Sequence, residues 1–319
     1  MSASPLPHQL DRPVLTDGGM ETSLIYHDGI DLPAFAAFPL LETPEGREAL
    51  TRYFAPYVEA ARRSGTGFVF ETVTWRANPD WARELGYSTE TLDRINHDSV
   101  AFARELQTQA ALDGPTFVSG NIGPRGDGYV VGSAMTADEA TAYHAEQIGS
   151  FAAAGVDFVS VLTMNYADEA IGVARAAQAA GVRAVVSFTL ETNGLLPSGE
   201  SLGDAIGKVD AAAPGAVAYY MINCAHPTHF ADTLPADAPW LGRVAGLRAN
   251  ASTKSHAELD ASTELDAGDP ADLAERYMDL RRRLPALNVV GGCCGTDDRH
   301  VTAIGEALFG VAGPAHAPA

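Results

Sequence analysis

The chain has 319 residues, 46% of them hydrophobic, enough to bury a large core in one or two domains. Its 41 acidic residues outweigh 21 lysines and arginines, for a formal net charge of −20. Such a surface repels nucleic acid and anionic membranes and mildly favours a cationic small molecule.

The three cysteines are too few for a disulfide framework, and their odd number argues against full pairing, so reduced thiols in a cytoplasmic protein are expected. Met1-Ser2-Ala3-Ser4-Pro5-Leu6-Pro7 lacks the basic start and apolar stretch of a signal peptide. No window holds the roughly 18 consecutive apolar residues of a membrane helix.

Residues 1–13 are rich in proline and read as a flexible tail. From there to residue 311, short apolar runs alternate with Ala-rich amphipathic stretches. Strands are expected over 14–17, 67–74, 116–120 and 158–163, then over 184–189, 217–223, 244–249 and 288–291. They are near-continuous apolar runs, the pattern of parallel strands buried on both faces. Helices are expected over 49–64, 136–154, 168–180 and 272–284. In the first, Leu50, Phe54, Tyr57, Val58 and Ala61 recur at helical spacing. Thr136 and Glu139 have the spacing of a capping box, and Gly65, Gly155 and Gly181 follow helical stretches as C-terminal caps do. Eight strands alternating with helices predict a single-domain α/β fold, a (β/α)8 TIM barrel over 14–311, with a doubly wound open sheet as the alternative. Residues 312–319 have no period and read as a second flexible tail.

Barrels carry their chemistry at the carboxyl ends of the strands. That rule gathers Asp17 after the first strand, Glu71, Thr72, Thr74 and Trp75 at or after the second, and Asn121 after the third. It adds Thr163 and Asn165 from the fourth and Glu191 after the fifth. Asn223 and Cys224 end the sixth, Arg248 and Asn250 the seventh, and Cys293 and Cys294 the eighth. All three cysteines thus fall on strand ends.

Zinc takes thiolates tetrahedrally, and a catalytic site keeps one position open beyond three protein ligands. Neighbouring cysteines on a regular strand point to opposite faces. In Gly291-Gly292-Cys293-Cys294-Gly295 the glycines give the backbone latitude for a turn at which both bind one ion. Buried cysteines acting as small apolar residues are the bland alternative. A thiol entering the open position would lose its proton and become a nucleophilic sulfur. It could attack a methyl group held in line at about 3–3.5 Å. Sulfonium and quaternary ammonium donors bind over aromatic faces, and Trp75 and Tyr129 are the first aromatics to consider. His226 and His229, just after Cys224, read as loop groups, because three thiolates suffice. The glycines between 123 and 128 lack the dinucleotide spacing, so no nicotinamide or flavin is expected.

With Asn223-Cys224 and Gly291-Gly292-Cys293-Cys294-Gly295 as the specific motifs, the chain resembles the zinc-dependent homocysteine S-methyltransferases. Asp17-Gly18-Gly19, Gly120-Asn121-Ile122-Gly123-Pro124, Ser187-Phe188-Thr189 and Ser198-Gly199 extend the likeness over nearly the whole chain. The resemblance implies a (β/α)8 barrel, Zn2+ held by Cys224, Cys293 and Cys294, and Asp17 on the amino group of the acceptor. It also implies small-molecule partners: homocysteine as thiol acceptor, giving methionine, and a methyl donor of the S-methylmethionine, S-adenosylmethionine or betaine type.

Two positions depart from the family. Leu162 stands where relatives carry a Glu that grips the acceptor ammonium. Either Glu71 or Glu191 takes over, or the acceptor is another thiol or a selenol. Arg76 stands where relatives carry Tyr or Gln near the donor, and Arg248 has the fork to take a carboxylate bidentately. A zinc-stabilised barrel without turnover is the reading from another class. The donor and the oligomeric state are left open.

Overall fold

The computed structural model describes residues 5–310. Four strands come first: β1 (Val14–Leu15), β2 (Gly67–Glu71), β3 (Thr116–Ile122) and β4 (Phe158–Met164). β5 (Ala184–Phe188), β6 (Val217–Asn223), β7 (Val244–Ala249) and β8 (Val289–Gly292) follow. All neighbours pair in parallel and in chain order, and β8 returns to β1 through Val14 beside Val289 and Leu15 beside Val290. That last pairing closes the ring, so the expected barrel forms and the open sheet does not.

The strands are wrapped by helices, beginning with α1 (Met20–Tyr26), α2 (Pro44–Ser64), α3 (Pro79–Glu84) and α4 (Thr89–Ala110). Next come α5 (Ala137–Ala154), α6 (Ala167–Ala179), α7 (Leu202–Ala212) and the single turn α8 (Pro227–Phe230). α9 (His256–Asp260), α10 (Pro270–Arg283) and α11 (Asp298–Phe309) complete the described helices. Thr136 and Glu139 do form a capping box on α5, and Gly65 and Gly155 end α2 and α5 at φ 62° and 79°, where a Cβ would be strained. Helix α4 has no counterpart among the sequence expectations. Its buried face sets Asn96 and Ser99 between Leu92, Ile95 and Phe102, which blurs the apolar stripe.

Side chains alternate along each strand between the barrel interior and the helical layer. Val69, Phe117, Phe158, Leu162, Val185 and Met221 form one cluster, separate from the larger one that joins strands to helices. Leu6 is 1% exposed and belongs to this smaller cluster. Pro7–Gln9 forms a 3-10 turn, the ring of His8 lies 4.7 Å from Tyr219, and the Asn288 amide donates to the carbonyls of Pro7 and Leu10. Residues 5–13 are therefore packed against the amino-terminal end of the barrel, unlike the tail expected there. The apolar Leu6 side chain gains more from covering the inner core than from water. Residues 1–4 and the expected tail at 312–319 lie outside the described residues. Among the described residues no helix is long and apolar enough to cross a membrane.

Candidate active site at the carboxyl ends of the strands

A cavity of about 390 Å3 opens at the carboxyl ends of the strands. It is lined by Asp17, Thr72, Trp75, Asn121, Thr163, Asn223, Cys224, Arg248, Cys293 and Cys294, all marked by the strand-end rule, and by Arg76, singled out by the resemblance. Glu71 and Glu191 do not line it. Tyr129 does, as do Glu21, Asp127 and Asp260, which the sequence reading passed over.

The three sulfur atoms lie within 4.8 Å of one another. Zinc–sulfur bonds near 2.3 Å in a tetrahedral site set sulfur atoms about 3.8 Å apart, so the donor set fits one ion. The turn at Cys293 and Cys294 is made as expected, but the glycines serve it differently from one another. Gly295 has φ 78°. A Cβ on Gly291 would collide with the Thr16 hydroxyl, and one on Gly292 with that of Thr296. These two glycines allow close approach of neighbouring chain, not an unusual dihedral angle.

The sulfurs also depart from expectation. Cys224 and Cys293 are joined as a disulfide, with Cα atoms 5.4 Å apart, and Cys294 alone is free. The expectation of three reduced thiols is corrected on this point. The convergence that lets three thiolates hold a metal also brings two of them into disulfide range, and metal binding by all three then requires that bond to be reduced. Desolvation pushes the Cys294 thiol up to about 11, so a cation must displace its proton before it ligates.

Cys224 and Thr163 both adopt positive φ, 53° and 64°. For a β-branched threonine this is a strained backbone, kept only where the surroundings over-determine it. Asn223 supplies that determination. Its Oδ1 accepts from the Thr163 amide at 2.9 Å and from the Ser187 hydroxyl at 2.6 Å, and its Nδ2 donates to the Thr163 hydroxyl at 2.9 Å. The same Nδ2 lies 3.8 Å from the Cys293 sulfur. Asn223 thus ties β4, β5 and β6 together under the thiols, and its amide is committed to the protein.

Two further groups support the cluster from behind. His256 places Nε2 2.6 Å from the Cys224 carbonyl, and Nδ1 3.2 Å from Glu191. Its ring stacks on Tyr129 at 3.9 Å, and the Tyr129 hydroxyl reaches the Cys294 sulfur at 3.4 Å. Glu191 therefore meets the site through His256. His256 lies on α9, far in sequence from any cysteine, and nothing in its local pattern marks it. His226 and His229 do not line the cavity: the first caps α8 and the second bonds the Thr253 carbonyl.

On the other side, Arg248 Nη2 meets Asp17 Oδ1 at 2.6 Å and Nε donates to the Gly292 carbonyl. Tyr53 donates to the second Asp17 oxygen at 2.9 Å. Glu71 lies beneath, 3.8 Å from Arg248 Nη1, with its carboxyl pushed up to about 7 by burial against the pull of that guanidinium. Thr72, Thr74 and Asn121 are knitted to each other: the Thr72 hydroxyl accepts from the Asn121 amide, and Thr74 donates to the Asn121 carbonyl.

A parallel eight-stranded barrel with thiols converging in the cavity at its carboxyl end defines an enzyme of the barrel class with a candidate metal centre. The homocysteine S-methyltransferase family signature matches residues 14–308, and the chain belongs to that family. It is accordingly a methyltransferase. Among solved structures, the chain is similar to the homocysteine methyltransferase MmuM from Escherichia coli in its metallated form, at 21% identity and TM-score 0.70, covering 93% of this chain and 96% of that one. The oxidised form of MmuM matches at 21% identity and TM-score 0.73, over 94% and 97% of the two chains. The apo form matches at 20% and 0.66, over 95% and 98%. At these identities the likeness speaks for the fold. No curated protein matches the chain.

Proposed function

We propose that this enzyme moves a methyl group from a small cationic donor to the thiol of homocysteine, forming methionine, with zinc held by Cys224, Cys293 and Cys294. The observation that carries the reading is the meeting of three cysteine sulfurs within 4.8 Å in a cavity that also presents Asp17 and Arg248. Family membership supports transfer to homocysteine. The chemistry a bound zinc ion supplies is a lowered proton affinity of the incoming thiol at neutral pH.

The protein's own part is placement. A new sulfur–carbon bond forms as the donor's bond to its methyl carbon breaks, and that electron pair leaves with the neutralised donor atom. The thiol proton goes to solvent. In-line approach needs both substrates fixed in a cavity that excludes bulk water. Asp17, steadied by Arg248 and Tyr53, offers a carboxylate to the acceptor ammonium. Trp75 and Tyr129 line the cavity, each with one face covered, by Arg76 and His256, and a cationic methyl donor would lie against what is left of the rings. His256, Thr189 and Asn250 hold the Cys224 carbonyl.

Donors of the S-methylmethionine, S-adenosylmethionine and betaine types all suit this wall. A second reading keeps the chemistry and changes the acceptor to another thiol or a selenol; Leu162, which lines the cavity with no polar atom, favours it. The composition supports a cytoplasmic enzyme. A grid of thiol and selenol acceptors against methyl donors, read by mass spectrometry on reduced, zinc-loaded protein, tests the proposal. Methionine should be the main product. Absence of any methylated acceptor would sink it, and preference for another acceptor would establish the second reading.

A further inference from the structure

Of the charged side chains that line the cavity, Arg76, Glu21, Asp127, Asp260 and Glu264 enter no ion pair among the described residues, and Arg76 is the one cation of the five. Arg76, which follows β2, is 8% exposed, and its guanidinium lies 4.3 Å and 4.2 Å from the ring centres of Trp75 and Trp81. Its Nη1 donates to the Gly126 carbonyl at 2.7 Å, while its Nε is buried with no partner. A guanidinium withdrawn from water without a carboxylate is costly, and the flanking rings keep this one from swinging out to solvent. Glu21, in the first turn of α1, lines the same cavity. Beyond its own backbone amide, its carboxyl has no hydrogen bond among the described residues.

Burial weakens both charges, pushing the Glu21 carboxyl up to about 7 and the Arg76 guanidinium down, and each opposes that loss in the other, with Asp127 acting on Arg76 more strongly than Glu21 does. They stand apart from the other charge pair of the cavity. Asp17 and Arg248 are already closed on one another at 2.6 Å, with Tyr53 on the remaining oxygen. Asp17, so steadied, keeps acceptor capacity for one ammonium, while Arg76 and Glu21 are open to a ligand that brings both signs of charge.

We propose that Arg76 and Glu21 are a zwitterion-recognition pair that takes the carboxylate and the ammonium of an α-amino-acid substrate. The proposal rests on the methyl-transfer reading and deepens it by naming the head group and the residues that select it. A planar guanidinium matches a carboxylate with two parallel donors, and a carboxylate is the natural acceptor for an ammonium N–H. Both homocysteine and S-methylmethionine carry this head group, whereas betaine has a carboxylate and no N–H. The same chemistry therefore fits acceptor or donor, and titration separates them.

The test is calorimetric titration of wild-type, Glu21→Gln and Arg76→Lys proteins with L-homocysteine, S-methyl-L-methionine, propanethiol and dimethylpropylsulfonium. The last two keep the reacting end and lack the head. At least one amino acid should lose about tenfold or more in affinity in both variants, the scale of a lost charged hydrogen bond, while its headless analogue changes less than about threefold. The identity of that amino acid shows which substrate the pair holds. Unchanged affinity for both amino acids in either variant overturns the proposal, as does an equal loss for the headless analogue or no binding of either amino acid to wild type. Arg76→Lys keeps the positive charge and removes the planar fork, and circular dichroism confirms that each variant is folded. If amino acids bind through this pair but no methyl transfer is detected, the reaction assignment fails and the pair stands. If transfer proceeds with Glu21→Gln unaltered in affinity, the pair fails and the reaction stands.

Discussion

Arg248 and Asp17 are 231 positions apart in sequence and 2.6 Å apart at the cavity, one from β7 and the other just after β1. Both are nearly sealed from solvent, at 6% and 2% side-chain exposure. The contact exists only because the barrel closes and brings the first and seventh strands around the same mouth. Burying two charges is offset by their attraction and by the added bonds from Tyr53 and to Gly292.

Removing one partner leaves the other charge buried and alone. Arg248→Met should cost about 3–5 kcal/mol of stability, the usual penalty for breaking a buried pair. Urea denaturation of the variant and wild type measures it. A loss below about 1 kcal/mol would place the pair in effectively solvated surroundings.

The disulfide makes a count. Protein purified without reductant and then denatured should show one reactive thiol, Cys294, and three after reduction. Three thiols before reduction would contradict the bonded pair. After reduction the protein should take up zinc, and Cys294→Ala should lose it, as measured by elemental analysis. Full metal retention in that variant would remove Cys294 from the ligand set.

His256 is the support with the shortest reach, 2.6 Å to the Cys224 carbonyl. His256→Phe keeps the ring that stacks on Tyr129 and deletes both nitrogen contacts. Metal affinity should fall roughly tenfold, the lower range for groups that orient ligands from behind. Competition with a chelator of known affinity reads this directly. Affinity equal to wild type would mean that Thr189 and Asn250 suffice to hold the Cys224 carbonyl.

Glu71 sets a pH dependence. Its carboxyl is raised from an ordinary 4.5 to about 7, chiefly by burial. Between those values the native state binds a proton that the unfolded chain has released. Stability should therefore fall as pH rises through this window, by on the order of 3 kcal/mol from this group. Glu71→Gln should remove that share of the slope and be the more stable protein at pH 8. An unchanged slope between pH 5 and 7.5 would show that Glu71 titrates normally.

The barrel was legible because parallel strands buried on both faces must be continuously apolar, and the runs from 158 and 217 say so without neighbours. Helix α4 was harder to see, since Asn96 and Ser99 on its buried face turn toward polar partners that only the fold supplies: Asn96 accepts from Gln147, and Ser99 accepts from the Val73 amide. The tail at 5–13 was misread for a similar reason, as a proline-rich segment shows no period even when Leu6 finds a hydrophobic seat.

Residue type and position along the chain were enough to name the thiols, because sulfur ligands are rare and every one falls at a strand end. Position along the chain says nothing of which side chain faces which. That Asn223 is spent on Thr163, that Glu191 acts through His256, and that Glu21 faces the cavity while Glu71 lies beneath it were decided when the ring closed. Local sequence dictates dihedral preference and apolar rhythm; contacts between residues hundreds of positions apart depend on closure, register and burial, which belong to the whole chain.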